Sequence, residues 1–138
     1  MKTAETTVDP ATLGLVLSFF KLNVTDIDRM SRFYERAFGF VVDNTIKVPQ
    51  FEERMLKLPG QDFTLVLMAW ADVAEINVGN GHGPIGFHTN DADATAEQIA
   101  NCGGTIETGP ISFPGVRAVI ARDPEGHEIE IICLTAAE

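Results

Sequence analysis

The stretch DPEGHEIEIICL, residues 123–134, puts a carboxylate where a buried strand is expected. Ile129, Ile131 and Cys133 alternate as one buried face, and Glu128, Glu130 and Ile132 take the other. A charge on a strand that turns apolar needs a partner or a task. Glu130 is therefore read three ways: a metal ligand, a general base whose pKa is raised by apolar neighbours, or a side chain held only by a neighbour or water. His88 is the second candidate, as a proton shuttle or as a histidine hydrogen-bonded across a sheet. Lys21 and Arg117 are cations on expected strands, suited to neutralising Glu130 or binding an acidic ligand group. Phe51, Trp70 and Phe113 stand at strand or loop ends, where rings either stack on an aromatic ligand or pack the rim. His82 lies in a glycine-rich loop, and His127 follows a turn glycine and reads as a surface residue.

The elements that must position these residues follow from periodicity. Residues 13–24 are rich in branched and aromatic side chains and read as a strand. Residues 25–40 carry Ile27, Met30, Phe33, Tyr34, Ala37 and Phe38 at helical spacing. Thr25 and Asp28 resemble a capping box at its start, and Gly39 is a natural stop. Three strands are expected at 40–46, 51–58 and 62–70, separated by Pro49 and the LPGQD turn. After the loop NVGNGHGP the order repeats: a strand at 85–89, a helix at 90–104, and strands at 105–109, 115–122 and 127–134.

The two halves align with an offset of 65 residues, which pairs Asp26 with Asp91, Asp28 with Asp93 and Gly39 with Gly104. A strand–helix–three-strand unit curls into an incomplete sheet with its helix on one side. Two units imply an α+β fold of paired β-α-β-β-β modules around a cleft, with the helices outside. Phe20, Leu22, Val24, Ile85 and Phe87 are expected under the helices. Phe19, Lys21, Asn23, Pro84, Gly86 and His88 are expected to line the cleft with Glu130, and the offset makes Leu65 the counterpart of Glu130. The expected layout is a polar arm at 1–14 and one domain at 15–138, with module one at about 15–70, a loop at 71–83 and module two at about 84–134.

Composition bounds the function. The chain has 138 residues, a net charge of −10, 45% hydrophobic and 22% charged residues, as in a globular protein with a real core. Lysine and arginine are few and dispersed, so no basic stripe for nucleic acid is read. No apolar run approaches a membrane span, no signal peptide is read, and the cytoplasm is the expected compartment. Cys102 and Cys133 stand far apart and read as two buried thiols. Phosphate-loop, dinucleotide-fold and nucleophile-elbow motifs are absent, so no cofactor is expected.

FYERAFGF after a strand, CGGTI after the second helix and RDPEGHEIEI near the end resemble the vicinal-oxygen-chelate superfamily, which includes glyoxalase I, extradiol dioxygenases and the bleomycin resistance proteins. The resemblance covers about residues 15–134. It implies paired β-α-β-β-β modules, usually a homodimer, and in many members a site shared between two chains. It also implies four metal ligands, from the first and last strand of each module. Carried over, these fall on Phe19, Leu65, Pro84 and Glu130, and only Glu130 is a donor. The expectation is therefore no metal, and a protein that binds a small aromatic or cationic molecule in an apolar cleft lined by Phe19, Lys21, Asn23, Leu65, Trp70 and Arg117. The rival expectation is a lyase, isomerase or dioxygenase-like enzyme using Glu130 or His88 as acid and base, or a shifted metal site with His82 or His88.

Overall fold

A computed structural model describes residues 7–136. A single helical turn, α1 (Pro10–Leu13), precedes β1 (Phe19–Asn23), α2 (Ile27–Phe38), β2 (Val41–Val48), β3 (Phe51–Lys57) and β4 (Thr64–Trp70). The second half runs β5 (Ile85–His88), α3 (Ala92–Asn101), β6 (Thr105–Phe113), β7 (Val116–Arg122) and β8 (Glu128–Leu134). The expected polar arm thus contains a helical turn, capped by Asp9 and closed by Gly14 in the left-handed region.

Each half forms a four-stranded mixed sheet, ordered β1-β4-β3-β2 and β5-β8-β7-β6. In each, the first strand runs parallel to the last, because the intervening helix carries the chain across one face. Helix α2 starts one residue later than the capping-box reading placed it. Asp26 and Asp91 are the caps, and each carboxylate accepts the amide hydrogen three residues on. Gly39 ends α2 at φ 84°, as its sequence position suggested.

Each helix buries one stripe and leaves its opposite face to solvent. Met30, Phe33 and Tyr34 of α2 and Ala92, Ala96 and Ile99 of α3 meet Leu22, Leu56, Leu65 and Leu67 of the first sheet and Val119, Ala121, Ile129 and Ile131 of the second in one apolar core. Gly104 marks how closely these parts approach. A methyl there would lie 2.6 Å from Ile99 Cγ2 and 2.8 Å from the Arg122 carbonyl. Two first-turn aspartates tie the helices to their sheets: Asp28 accepts from Arg54 on β3, and Asp93 takes both ends of the Arg117 guanidinium on β7. These arginines hold the Asp28 and Asp93 carboxyls below the usual range by hydrogen bonding to them.

The two modules are joined by the turn that precedes β8. Asp123 is buried, and its Oδ2 accepts from the Tyr34 hydroxyl at 2.7 Å. Its Oδ1 accepts from the amides of Glu125 and His127 at 3.0 and 2.9 Å, which closes the turn. Glu125 reaches the start of α2, where its carboxylate accepts from the amides of Thr25 and Asp26 at 2.7 and 2.8 Å. His127 is buried rather than at the surface, as the sequence reading had it. Its Nδ1 lies 2.8 Å from Asp123 Oδ2 and its Nε2 lies 2.9 Å from the carbonyl oxygen of Asn23. Both ring nitrogens face acceptors, so only the imidazolium donates to both. Burial pushes the His127 pKa down, but the hydrogen bond and charge of Asp123, with the Asn23 carbonyl, outweigh it and leave the pKa raised. Burial, then the Asp123 charge, pushes the Tyr34 hydroxyl well above its ordinary value.

Two outcomes test this clamp. Tyr34→Phe leaves one lone pair of a buried carboxylate unmet and is expected to cost about 1–3 kcal/mol in urea unfolding. His127 has a folded pKa above its ordinary 6.5, so its contribution is full below that pH and is lost as pH rises through the raised value. Unfolding free energy measured against pH should fall over that window in the native chain, and His127→Gln should remove that slope.

Candidate functional site

In each sheet one face is covered by a helix and the other is not. The uncovered face of the first sheet carries Phe19, Lys21 and Asn23 on β1, Val66, Met68 and Trp70 on β4, and Glu53 and Met55 on β3. The uncovered face of the second carries Gly86 and His88 on β5, Glu130 and Ile132 on β8, and Ala118 and Ile120 on β7. Phe19, Lys21, Asn23, Gly86, His88 and Glu130 thus lie on the faces that strand alternation assigned them.

Leu65 does not. It lies under α2 in the core, and its neighbour Val66, 3% exposed, holds the uncovered position. The cause is a difference in turn length. Lys57 pairs with Thr64 across residues 58–63, whereas Arg122 pairs with Glu128 across residues 123–127, one residue fewer. The offset of 65 therefore holds on β7 and falls to 64 on β8, and a shift of one residue turns every side chain over. Val66 is the true counterpart of Glu130. Arg117 also departs from its expected place. It pairs with Cys133 on the helix-covered face and is spent on Asp93 and on Ser112 Oγ. Phe20, expected under the helix, is partly exposed and meets the His82 ring edge-on at 5.5 Å.

Over the first sheet lies a groove of about 240 Å³ lined by Phe19, Lys21, Glu53, Met55, Thr64 and Val66. Glu53 was not singled out from sequence. The alternation in β3 could have found it, since it puts a charge between Phe51 and Met55 on one face. It is only 7% exposed, and its carboxylate is held by Lys21 at 2.5 Å, a contact of opposite charges without the alignment of a hydrogen bond. Lys21 therefore pairs with Glu53 and not with Glu130. A second pocket, of about 400 Å³, lies where the two halves meet, between Phe19, Phe20, Phe63 and Leu65 on one side and His82, Pro84, Ile85 and Gly86 on the other. Its lining is mostly apolar and aromatic, as ligand pockets are. Trp70 stands edge-on to Phe51 at 5.3 Å, outside both pockets. His88 is exposed and lines a different pocket with Thr89, Asn90 and Leu134.

Glu130 is half-buried between Ile120 and Gly86, and Gly86 leaves its flank open because a Cβ there would meet nothing within 4 Å. No hydrogen bond or ion pair holds its carboxylate among the described residues. The four positions that the resemblance assigns to a metal are, with the register corrected, Phe19, Val66, Pro84 and Glu130. Three offer no lone pair, and a divalent site needs about three protein donors. Among the described residues no group of three or more His, Cys, Asp or Glu stands close enough to hold a metal ion. The residues present do not fit the metal of the fold. Among the described residues, no helix is long and apolar enough to cross a membrane.

Comparison with known proteins agrees with this architecture. A chloroplastic protein of Arabidopsis thaliana named probable lactoylglutathione lyase is 32% identical over 111 residues, which are 76% of this chain and 32% of that protein. The lactoylglutathione lyase of Haemophilus influenzae is 27% identical over 127 residues, covering 80% of this chain and 87% of that one. Glyoxalase I from Zea mays has a closely similar fold, with a TM-score of 0.75 at 28% identity, over 85% of this chain and 45% of that one. The chain thus spans about a third of the Arabidopsis relative and under half of the maize structure. The profile of the Glyoxalase/Bleomycin resistance protein/Dioxygenase superfamily matches residues 16–131. With its two β-α-β-β-β units and that match over most of its length, the chain belongs to the glyoxalase, bleomycin resistance protein and dioxygenase superfamily.

Proposed function

We propose that this chain is a small-molecule binding member of its superfamily that works without a metal. The observation that carries this is the replacement of three donor positions by Phe19, Val66 and Pro84. A metal site stripped to one carboxylate gains nothing from the ion, while the same side chains make an apolar floor for an organic ligand. The binding surface is the pair of uncovered sheet faces, with the pocket between Phe19 and Pro84 at their junction.

The faces carry more exposed apolar surface than a lone chain tolerates easily. Phe19, Trp70, Ile46 and Val48 on the first and Ile111, Phe113 and Leu134 on the second are all exposed. A homodimer that sets the first face of one chain against the second face of its partner covers this surface and encloses a site. Phe19 and Val66 of one chain would then oppose Glu130 of the other.

Metal content of protein purified without chelator tests the reading. Less than a tenth of an equivalent of zinc, nickel, manganese or iron is expected, and a stoichiometric, tightly held ion would sink it.

The names of the relatives favour a second reading, a lyase in which the unpaired Glu130 moves a proton. Assay in the direction of lactoylglutathione formation, from glutathione and the corresponding 2-oxoaldehyde, separates the two. The binding reading expects no turnover. Turnover in the native chain that Glu130→Gln abolishes, with the fold intact by circular dichroism, would establish the lyase instead.

A further inference from the structure

The uncovered faces are alike in backbone and unlike in charge. In the second sheet the positions equivalent to Lys21 and Glu53 are Gly86 and Ala118, which carry no polar side chain. The first sheet therefore places an ion pair where its twin has only small residues. Burying a carboxylate as deeply as Glu53 is costly unless it is matched. Among the described residues its match is one ammonium, and Glu53 Oε2 accepts no hydrogen bond. Such a costly pair in the middle of an apolar groove is not explained by stability, since apolar residues of the same size do as well or better.

The geometry gives the pair a task. Lys21 keeps 44% of its side chain exposed, and its ammonium has three donor hydrogens, none of them in a hydrogen bond among the described residues. Its ammonium lies 5.9 Å from the centre of the Phe19 ring, which fixes it from a second side. Phe19, Met55 and Val66 surround it with apolar surface. We propose that Lys21 is the polar anchor of the groove, held in place by Glu53, and that the ligand is a largely apolar, planar molecule presenting an acceptor oxygen to it, as a carbonyl, carboxylate or sulfonate does. The ammonium donates the hydrogen bond, and the ring of the ligand lies against Met55 and Val66. The net charge of −10 works against anions at long range, so recognition of the oxygen is local to this lysine. This inference rests on the reading of the uncovered face as the ligand site.

Two fluorescent probes of nearly the same aromatic body test it: anilinonaphthalene sulfonate, which has the acceptor oxygens, and phenylnaphthylamine, which lacks them. The native protein is expected to bind the sulfonate more tightly than the amine. Lys21→Met should weaken the sulfonate by about tenfold, the scale of one charge-assisted hydrogen bond, and leave the amine within about twofold. Lys21→Met strands Glu53, so the double variant Lys21→Met with Glu53→Gln, which leaves no buried charge, is measured beside it and should show the same loss. Equal affinities for the sulfonate in native and variant proteins would overturn the anchor while leaving the groove as a binding site. Failure of the native protein to bind either probe would overturn the groove itself and the anchor with it.

Discussion

A buried carboxylate with few alternatives organises this molecule. Asp123 cannot stay charged in the core without donors, and it finds them in four places: a tyrosine hydroxyl from α2, two amides of its own turn and a histidine ring. Those donors come from both modules. The turn before β8 is therefore not free to shift against β1 and α2, because any shift strips hydrogen bonds from a charge. His127 extends the constraint to the Asn23 carbonyl, and Glu125 extends it to the first amides of α2. Each bond alone is worth about 1 kcal/mol, or somewhat more where a charge takes part. Together they act as one unit, because loss of any partner exposes the rest to the full cost of burial.

The same turn sets the asymmetry of the site. It is one residue shorter than the turn between β3 and β4. The shorter turn places Glu130 on the uncovered face of β8 while its neighbours Ile129 and Ile131 fill the core. In the first module the longer turn puts Val66 in that place. The stretch that fixes the modules to each other thus also decides which side chain the last strand presents.

Much of this was legible in sequence, for physical reasons. Strands and helices announced themselves by period, since a half-buried element must alternate with its own repeat. Gly39 marked the end of α2 because few other residues adopt its backbone conformation, whereas the capping-box pattern fell one residue short of the caps that the structure shows, Asp26 and Asp91. Three things were not legible. The one-residue difference between the turns does not show in a repeat with few identities, and it moved the carry-over from Val66 to Leu65. The face of Arg117 was ambiguous at a strand entry, and only the position of Asp93 on α3 resolves it. The burial of His127 depends on Asn23, more than a hundred residues away, and local composition carries no trace of such a contact. Two of the three motifs that suggested the superfamily, the Phe-Tyr pair of α2 and the Asp-Pro-x-Gly turn, touch each other through Tyr34 and Asp123.

This separation of roles bears on what Glu130 can do. The charged residues of DPEGH serve the structure: Asp123, Glu125 and His127 each hold partners in the other module. Glu130 is the first acid after them whose carboxylate faces an open flank. A general base needs a way to pass its proton on, and no titratable partner is bonded to Glu130 among the described residues. On the binding function proposed above, this carboxylate accepts a hydrogen bond from the ligand; on the lyase reading it returns its proton to the substrate or to water. The polar features of the two faces are then complementary, with a donor at Lys21 and an acceptor at Glu130, each set in apolar surroundings. Under the binding function proposed above, a ligand would be oriented by these two groups and held by its apolar body.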